Sequence, residues 1–474
     1  MAERDRENET RIGLAATCAR WFRDVGLQTD SGGLGDRVRE DFERIVRCLG
    51  GCFDHVIAPG IVSTVEDASR AAAPFREAQI DALLIVNVMW SEDQPLLTFL
   101  DAFADTPLIL WDYHPTGTLP EKLSTDDLFR YSGTVGLLQG SAPMQRRGLT
   151  LHIVSGSPSD RALAEELSEW NAALKIRRVF RGLNAGQLAG RCEVMTGTFV
   201  DEAALARLGV KLIAISAKEY AAACGAVDAA RIEAFYSDLV RRFPVDGVSE
   251  NSLRLACRNT LALDDLVLRH DLGALAIQDL DEELHRLAGI RPCLCPPASA
   301  ERGVAFGMEG DLNTTLGMLA AMGASGSPAM FTEVFTYDPR KGILLMGHAG
   351  VHDPGLAASD GVTLVPDAEY RHADACEGAW QEFILAEGPV TCVSLYDTGR
   401  GYCMTVFEGE SLGAPRRIAG FAHAAVRPDV PVTELVPRLV RRGMTQHFAV
   451  ARGRIATVLQ IWCAVNGIEC CIER

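Results

Sequence analysis

No run of eighteen consecutive apolar residues occurs in the 474-residue sequence, so nothing in it reads as a transmembrane helix. The start, MAERDRENETRIGLAA, has a charged head but lacks the apolar stretch of a secretory signal, and the expected location is the cytoplasm. Basic residues are in deficit: 46 Lys and Arg face 63 Asp and Glu, a formal charge of −17. Nucleic acid and anionic membranes select for the opposite sign, so neither is an expected partner. Neither GxGxxG nor a P-loop follows a strand-like segment, and SGGLG at 31–35 reads as a plain loop. A Rossmann dehydrogenase and a P-loop enzyme are therefore disfavoured. Fourteen cysteines run from Cys18 and Cys48 through Cys293 and Cys295 to Cys470 and Cys471, without the paired CxxC spacing of a zinc site. They read as buried free thiols.

What is present is the make-up of a folded protein, with 48% hydrophobic residues, 23% charged residues and 44 glycines. At about 150 residues per domain the length implies two or three domains, and three are expected. In residues 1–150, RIGLAAT, FDHVIAP, DALLIVNVMW and PLILWD read as strands, alternating with helical DRVREDFERIVRCLGG and VEDASRAAAPFREAQ. That βαβ rhythm predicts an open doubly wound sheet. A second α/β domain is expected over 151–325, from LTLHIVSG through a strand at GRCEVMTG to VKLIAIS and GALAIQDL. From 326 to 474 the segments AMFTEVFTYD, KGILLMGHAG, GPVTCVSLYD, GYCMTVFEGE and RRIAGFAHAAV predict a mainly antiparallel β domain, closed by a helix around GRIATVLQIWCAVNG.

Four residues stand out for chemistry. Glu309 in FGMEGDLNTTLGML ends an apolar strand before a helix that Asp311 or Asn313 can cap; it either faces a ligand cleft or caps the helix itself. Glu333 alternates with Phe331, Phe335 and Tyr337, a costly place for an inward carboxylate without a partner, and an ordinary one on an outer edge face. His348 ends the strand KGILLMGH in phase with Leu344 and Met346, where a lone histidine is commonly a satisfied core residue. His352 follows four residues later, but Gly350 and Asp353-Pro354 break the helix that an HxxxH site needs, so it reads as a loop residue. His447, in a short strand before the last helix, says little by itself. Together the four form an O,O,N,N set suited to one divalent cation, Mn²⁺ first, with Co²⁺, Mg²⁺ or Zn²⁺ as alternatives.

The order Glu309-Gly310-Asp311, then Phe331-Thr332-Glu333 with Thr336-Tyr337, then Gly347-His348, and last His447-Phe448-Ala449 resembles the L-fucose and L-arabinose isomerase superfamily. The likeness is close over residues 300–350 and loose over the rest of the chain. It implies two doubly wound domains followed by a β-rich one, and a cation held by Glu309, Glu333, His348 and His447. It further implies aldose–ketose isomerisation of an open-chain sugar through an enediol, with Glu309 and Glu333 moving the protons. A homotrimer or homohexamer is implied as well, in which residues near Trp90, Trp111 and His114 of one subunit reach a neighbour's substrate, although buried aromatic packing is the more ordinary role for each tryptophan.

The departures lie around the cation set. Gln446 stands where arabinose isomerases carry a second histidine, which makes it a candidate substrate contact. Ala16-Thr17-Cys18 replaces a Gly-Ser-Gln stretch, and Leu312 replaces a tryptophan. L-arabinose itself is thus not the expected sugar. Two other classes remain open: a metal-dependent glycosidase or lyase acting on a sugar derivative, and a sugar-binding protein without turnover.

Overall fold

The structure, a computed structural model, describes residues 9–20, 34–367, 369 and 378–474. The loop SGGLG lies mostly outside them. The chain forms two compact units, Met1–Arg178 and Val179–Arg474.

The first unit is built on strands β1 (Arg11–Thr17), β2 (His55–Ile57), β3 (Ile61–Val62), β4 (Ala82–Asn87), β5 (Leu108–Tyr113) and β6 (His152–Gly156). They pair in parallel in the order β2-β1-β4-β5-β6, with β3 also on β1. The run ALLIVN of β4 is buried at every position, because helices cover both faces of a parallel sheet. Those helices include α1 (Leu34–Gly50), α2 (Val65–Ala78), α3 (Asp93–Ala102), α4 (Gly133–Arg146) and α5 (Arg161–Phe180). The chain leaves β1 in one direction for β2 and returns on its other side at β4, which makes the C-terminal ends of β1 and β4 a topological switch point. Ala16-Thr17-Cys18 sits there, buried, and Thr17 Oγ1 donates to Asn87 Oδ1 at 2.5 Å.

The second unit opens with four parallel strands, β7 (Asn184–Leu188), β8 (Lys211–Ile215), β9 (Leu272–Ile277) and β10 (Ala305–Gly307), in the order β10-β9-β7-β8. The segment GRCEVMTG is not a strand, contrary to expectation. The strand comes earlier, at NAGQL, and ends where Ala189 and Gly190 take φ of +60° and +85°. Its polar residues hid it: Asn184 Nδ2 donates to His270 O at 2.9 Å and Gln187 Nε2 to Gly310 O at 2.9 Å, so they are spent on internal partners. Helix α6 (Glu250–His270) starts on Ser249, which caps Ser252 N, and ends on Asp271 in the left-handed region.

Helix α7 (Leu312–Ser325) is apolar nearly all round and its first ten residues are buried. It packs on β9 and β10 and on strands of the β-rich part that follows. That part contains β11 (Ala329–Asp338), β12 (Ile343–His348), the small pair β13 (Thr363–Val365) and β14 (Trp380–Glu382), then β15 (Gly388–Asp397), β16 (Tyr402–Ser411), β17 (Ala422–Pro428), β18 (His447–Arg452) and β19 (Glu469–Glu473). The path β15-β18-β11-β12-β17-β16 is antiparallel, and ten residue pairs between β15 and β16 close it into a barrel. Met330, Leu344, Met346, Cys392, Phe407, Phe448 and Val450 belong to its core. Helices α8 (Val432–Arg442) and α9 (Ala456–Val465) follow β17 and β18. The expected closing helix is thus not the last element, since β19 adds in parallel to β16. The molecule is therefore α/β with parallel sheets and a C-terminal antiparallel barrel. No helix of the described residues is long and apolar enough to cross a membrane.

Barrel closure leaves little room between β16 and β17. A Cβ on Gly409 would lie 2.3 Å from Arg427 O and 2.7 Å from Pro428 Cα, both backbone atoms that cannot rotate away. Gly409→Ala is expected to destabilise the second unit by about 1–3 kcal/mol, as overpacking does. Chemical denaturation with a barrel-core fluorescence probe would show it, and an unshifted midpoint would mean that the seam can open.

Candidate metal centre

The turn between β10 and α7 is held in an uncommon shape. Glu309 and Gly310 both have positive φ, +54° and +66°, and for a glutamate this conformation costs energy that neighbours must supply. They do so through the backbone. Glu309 N donates to Asp279 Oδ1 at 2.9 Å, Gly310 N to Ile277 O at 2.9 Å, and Gly310 O accepts from Gln187. Asp279 is itself fixed by Arg291, a buried guanidinium 3.0 Å from its other oxygen and also paired with Asp367 at 2.7 Å. The ring of Trp380 faces Arg291 at 4.7 Å. Glycine is required at 310, where a Cβ would come within 2.8 Å of Gly190 O.

This turn directs two carboxylates at the same imidazole. Asp311 is the N-cap of α7 and accepts from Thr314 N at 2.9 Å through Oδ1. Its Oδ2 accepts from His447 Nδ1 at 2.8 Å. The other nitrogen, His447 Nε2, lies 3.1 Å from Glu309 Oε2. His447 is the first residue of β18 and fully buried. His348, the last residue of β12, donates its Nδ1–H to Ala349 O at 2.6 Å, which turns Nε2 toward Glu309 Oε1, 3.8 Å away. The Phe331 ring packs against both imidazoles, with centroids 5.2 and 4.8 Å away. One donor atom each from Glu309, His348 and His447 thus converge within 4.8 Å.

The electrostatics follow from burial set against charge. Burial alone would push the Glu309 carboxyl up, but the His447 hydrogen bond and the positive fields of His348, His447 and Arg291 outweigh it and hold it below its ordinary value. Burial likewise opposes a charged His447, yet Asp311 and Glu309 raise it to about 9. The donor set suits a cation: one carboxylate, two imidazoles with the outward nitrogen available, and a carboxylate behind one of them to fix its tautomer.

Glu333 occupies a neighbouring position without joining this group. It pairs in register with His447 on β18 and with Gly347 on β12, half-buried, just before a bulge in β11. Gln446 lies at the rim, its Nε2 3.3 Å from His447 Nε2. His352 is in a loop but buried; its Nε2–H donates to His348 O at 3.0 Å, and burial pushes its pKa down to about 4, so it stays neutral and steadies the His348 backbone. Sequence reading missed Asp311 as the partner of His447, seeing only a cap, and missed Arg291 and Asp279. The lone arginine in the apolar stretch GIRPCLCPP was the available cue to the second pair.

In the first unit Trp111 is buried and donates to Gly156 O at 3.0 Å, a packing role. Trp90 and His114 instead line a cavity of about 630 Å³ with Leu119, Leu128, Phe129 and Tyr131.

No family model matches the chain. Among curated proteins, sulfoquinovose isomerase from Alkalicoccus urumqiensis is 24% identical over 197 residues, 41% of this chain. The likeness is to a sugar isomerase. It spans 43% of that protein's length, less than half of either partner.

Asp311→Asn keeps an oxygen to cap α7 but removes the charge behind His447. Divalent-metal affinity, read by competition with a chromophoric chelator, is expected to fall about 10–100-fold. Unchanged affinity would mean that Asp311 serves the helix alone.

Proposed function

We propose that the chain is a divalent-metal-dependent sugar isomerase that interconverts an open-chain aldose and ketose through an enediol. The convergence of Glu309, His348 and His447, with Asp311 fixing His447, is the observation that supports this most. The partial likeness to a sugar isomerase supports the reaction class. Glu333, beside His447 in the sheet, is proposed as the fourth ligand and as one of two acid/base carboxylates, with Glu309 as the other.

A divalent cation there, Mn²⁺ first, would act as a Lewis acid toward the oxygens on C1 and C2 of the sugar. The protein's part is proton transfer. One carboxylate takes the proton from C2 of the aldose while the second, entering in its acid form, gives its proton to the carbonyl oxygen on C1, giving the enediol. Delivery of a proton to C1 and loss of the proton from the C2 hydroxyl then complete the ketose, and the carboxylates return to their starting state. The Gln446 amide at the rim is proposed to contact a sugar hydroxyl. The substrate is proposed to be a sugar other than L-arabinose, and sulfoquinovose belongs in any panel because the similar protein is named for it. The cytoplasm is the proposed location. A homotrimer or homohexamer is the proposed assembly, with the Trp90 and His114 cavity as the part of the first unit offered to a neighbour.

With Mn²⁺ in D₂O, a panel of aldoses including sulfoquinovose is expected to yield one sugar that gains deuterium at C1 or C2 as its ketose forms, detected by NMR. Chelation should abolish this and Mn²⁺ restore it. Fragments or a released aglycone without exchange would instead identify a lyase or glycosidase. Glu333→Gln is expected to lower turnover by about 10²–10⁴-fold with the fold intact; full activity would remove Glu333 from the mechanism.

A further inference from the structure

A second group of donors lies on the face shared by β16 and β19. The parallel register pairs Cys403 with Glu469 and Thr405 with Cys471, which puts Cys403, Glu469 and Cys471 on one side of the sheet. Cys403 Sγ and Cys471 Sγ are 3.9 Å apart, and Cys471 Sγ is 3.6 Å from Glu469 Oε1. One donor atom from each of the three residues falls within 4.8 Å of the others.

Two explanations compete for such close sulfurs. A disulfide needs Cα atoms within about 7 Å. Here the cysteines are two residues out of step on neighbouring strands, and spacings of about 4.8 Å across and about 3.3 Å per residue along separate their Cα atoms by about 8 Å. A tetrahedral cation asks for something different. Bonds of about 2.3 Å to sulfur and about 2.1 Å to oxygen place two sulfurs about 3.8 Å apart, and sulfur and oxygen about 3.6 Å apart. The observed 3.9 and 3.6 Å fit that geometry.

We propose that Cys403, Cys471 and Glu469 form a second cation site, selective for zinc-type ions, with solvent water as the fourth ligand. Two thiolates make it softer than the Glu309 centre and set it against Mn²⁺ or Mg²⁺. Glu469 is exposed, so water reaches the open position, while Cys403 and Cys471 are buried beside Tyr396. Arg442 nearby is paired with Glu473 at 3.0 Å, which offsets its repulsion of a cation. Binding would release the two thiol protons to solvent and tie β19 to β16.

The test is a Co²⁺ titration of the full-length, phosphine-reduced protein, following the near-ultraviolet band that thiolate-bound cobalt gives. The band is expected in the wild type and in His348→Ala, and is expected to vanish in the Cys403→Ser/Cys471→Ser double variant. Glu469→Ala, at an exposed position that folding tolerates, should weaken Co²⁺ affinity by at least about tenfold. No band in the wild type, a band that survives in the double variant, or an unweakened Glu469→Ala variant would each overturn the proposal.

Discussion

One buried imidazole held between two carboxylates organises the second unit. His447 has no access to water, so each of its nitrogens must find a partner inside the protein, and Asp311 and Glu309 provide them from a single turn. That turn exists only because Glu309 and Gly310 accept left-handed backbone, and the conformation persists because Asp279, Ile277 and Gln187 hold its amides and carbonyl. Strain in the loop is thus exchanged for aim at the ring.

Helix α7 makes the arrangement possible at a larger scale. Its N-terminus presents Asp311, and the positive end of its dipole favours carboxylates at that point. Its body is buried against β9 and β10 on one side and against β11, β15 and β18 on the other. The parallel sheet contributes Glu309 through the loop after β10, and the barrel contributes His348 and His447 from the ends of two strands. Arg291 with its carboxylates performs a similar service one step further out, fixing the acceptor for the Glu309 amide.

Much of this was legible in the sequence. Long apolar runs such as ALLIVN declare strands of a covered parallel sheet, and Asp311 was visible as one of two candidate helix caps, beside Asn313. Glu309 and His348 were visible from their places at strand ends, whereas His447 could be singled out only by resemblance. NAGQL was illegible because its polar residues serve distant carbonyls, and a one-dimensional pattern cannot show that a polar side chain is satisfied 86 or 123 positions away. The short β19 was hidden behind the last helix for a related reason, since its partner β16 lies more than sixty residues earlier. Position alone does not reveal what Asp311 does for His447, because one carboxylate performs two tasks and only the first is local.

The three converging donors are far apart along the chain, at positions 309, 348 and 447. A cation bound by all three would act as a clasp that exists only when sheet, helix and barrel are all in place. Such a ligand binds the folded state and not the unfolded one, so its free concentration sets the unit's stability by mass action, about 2.7 kcal/mol at a hundredfold excess over the dissociation constant. The supply of metal in the surroundings would then govern how long the protein survives as well as whether it works.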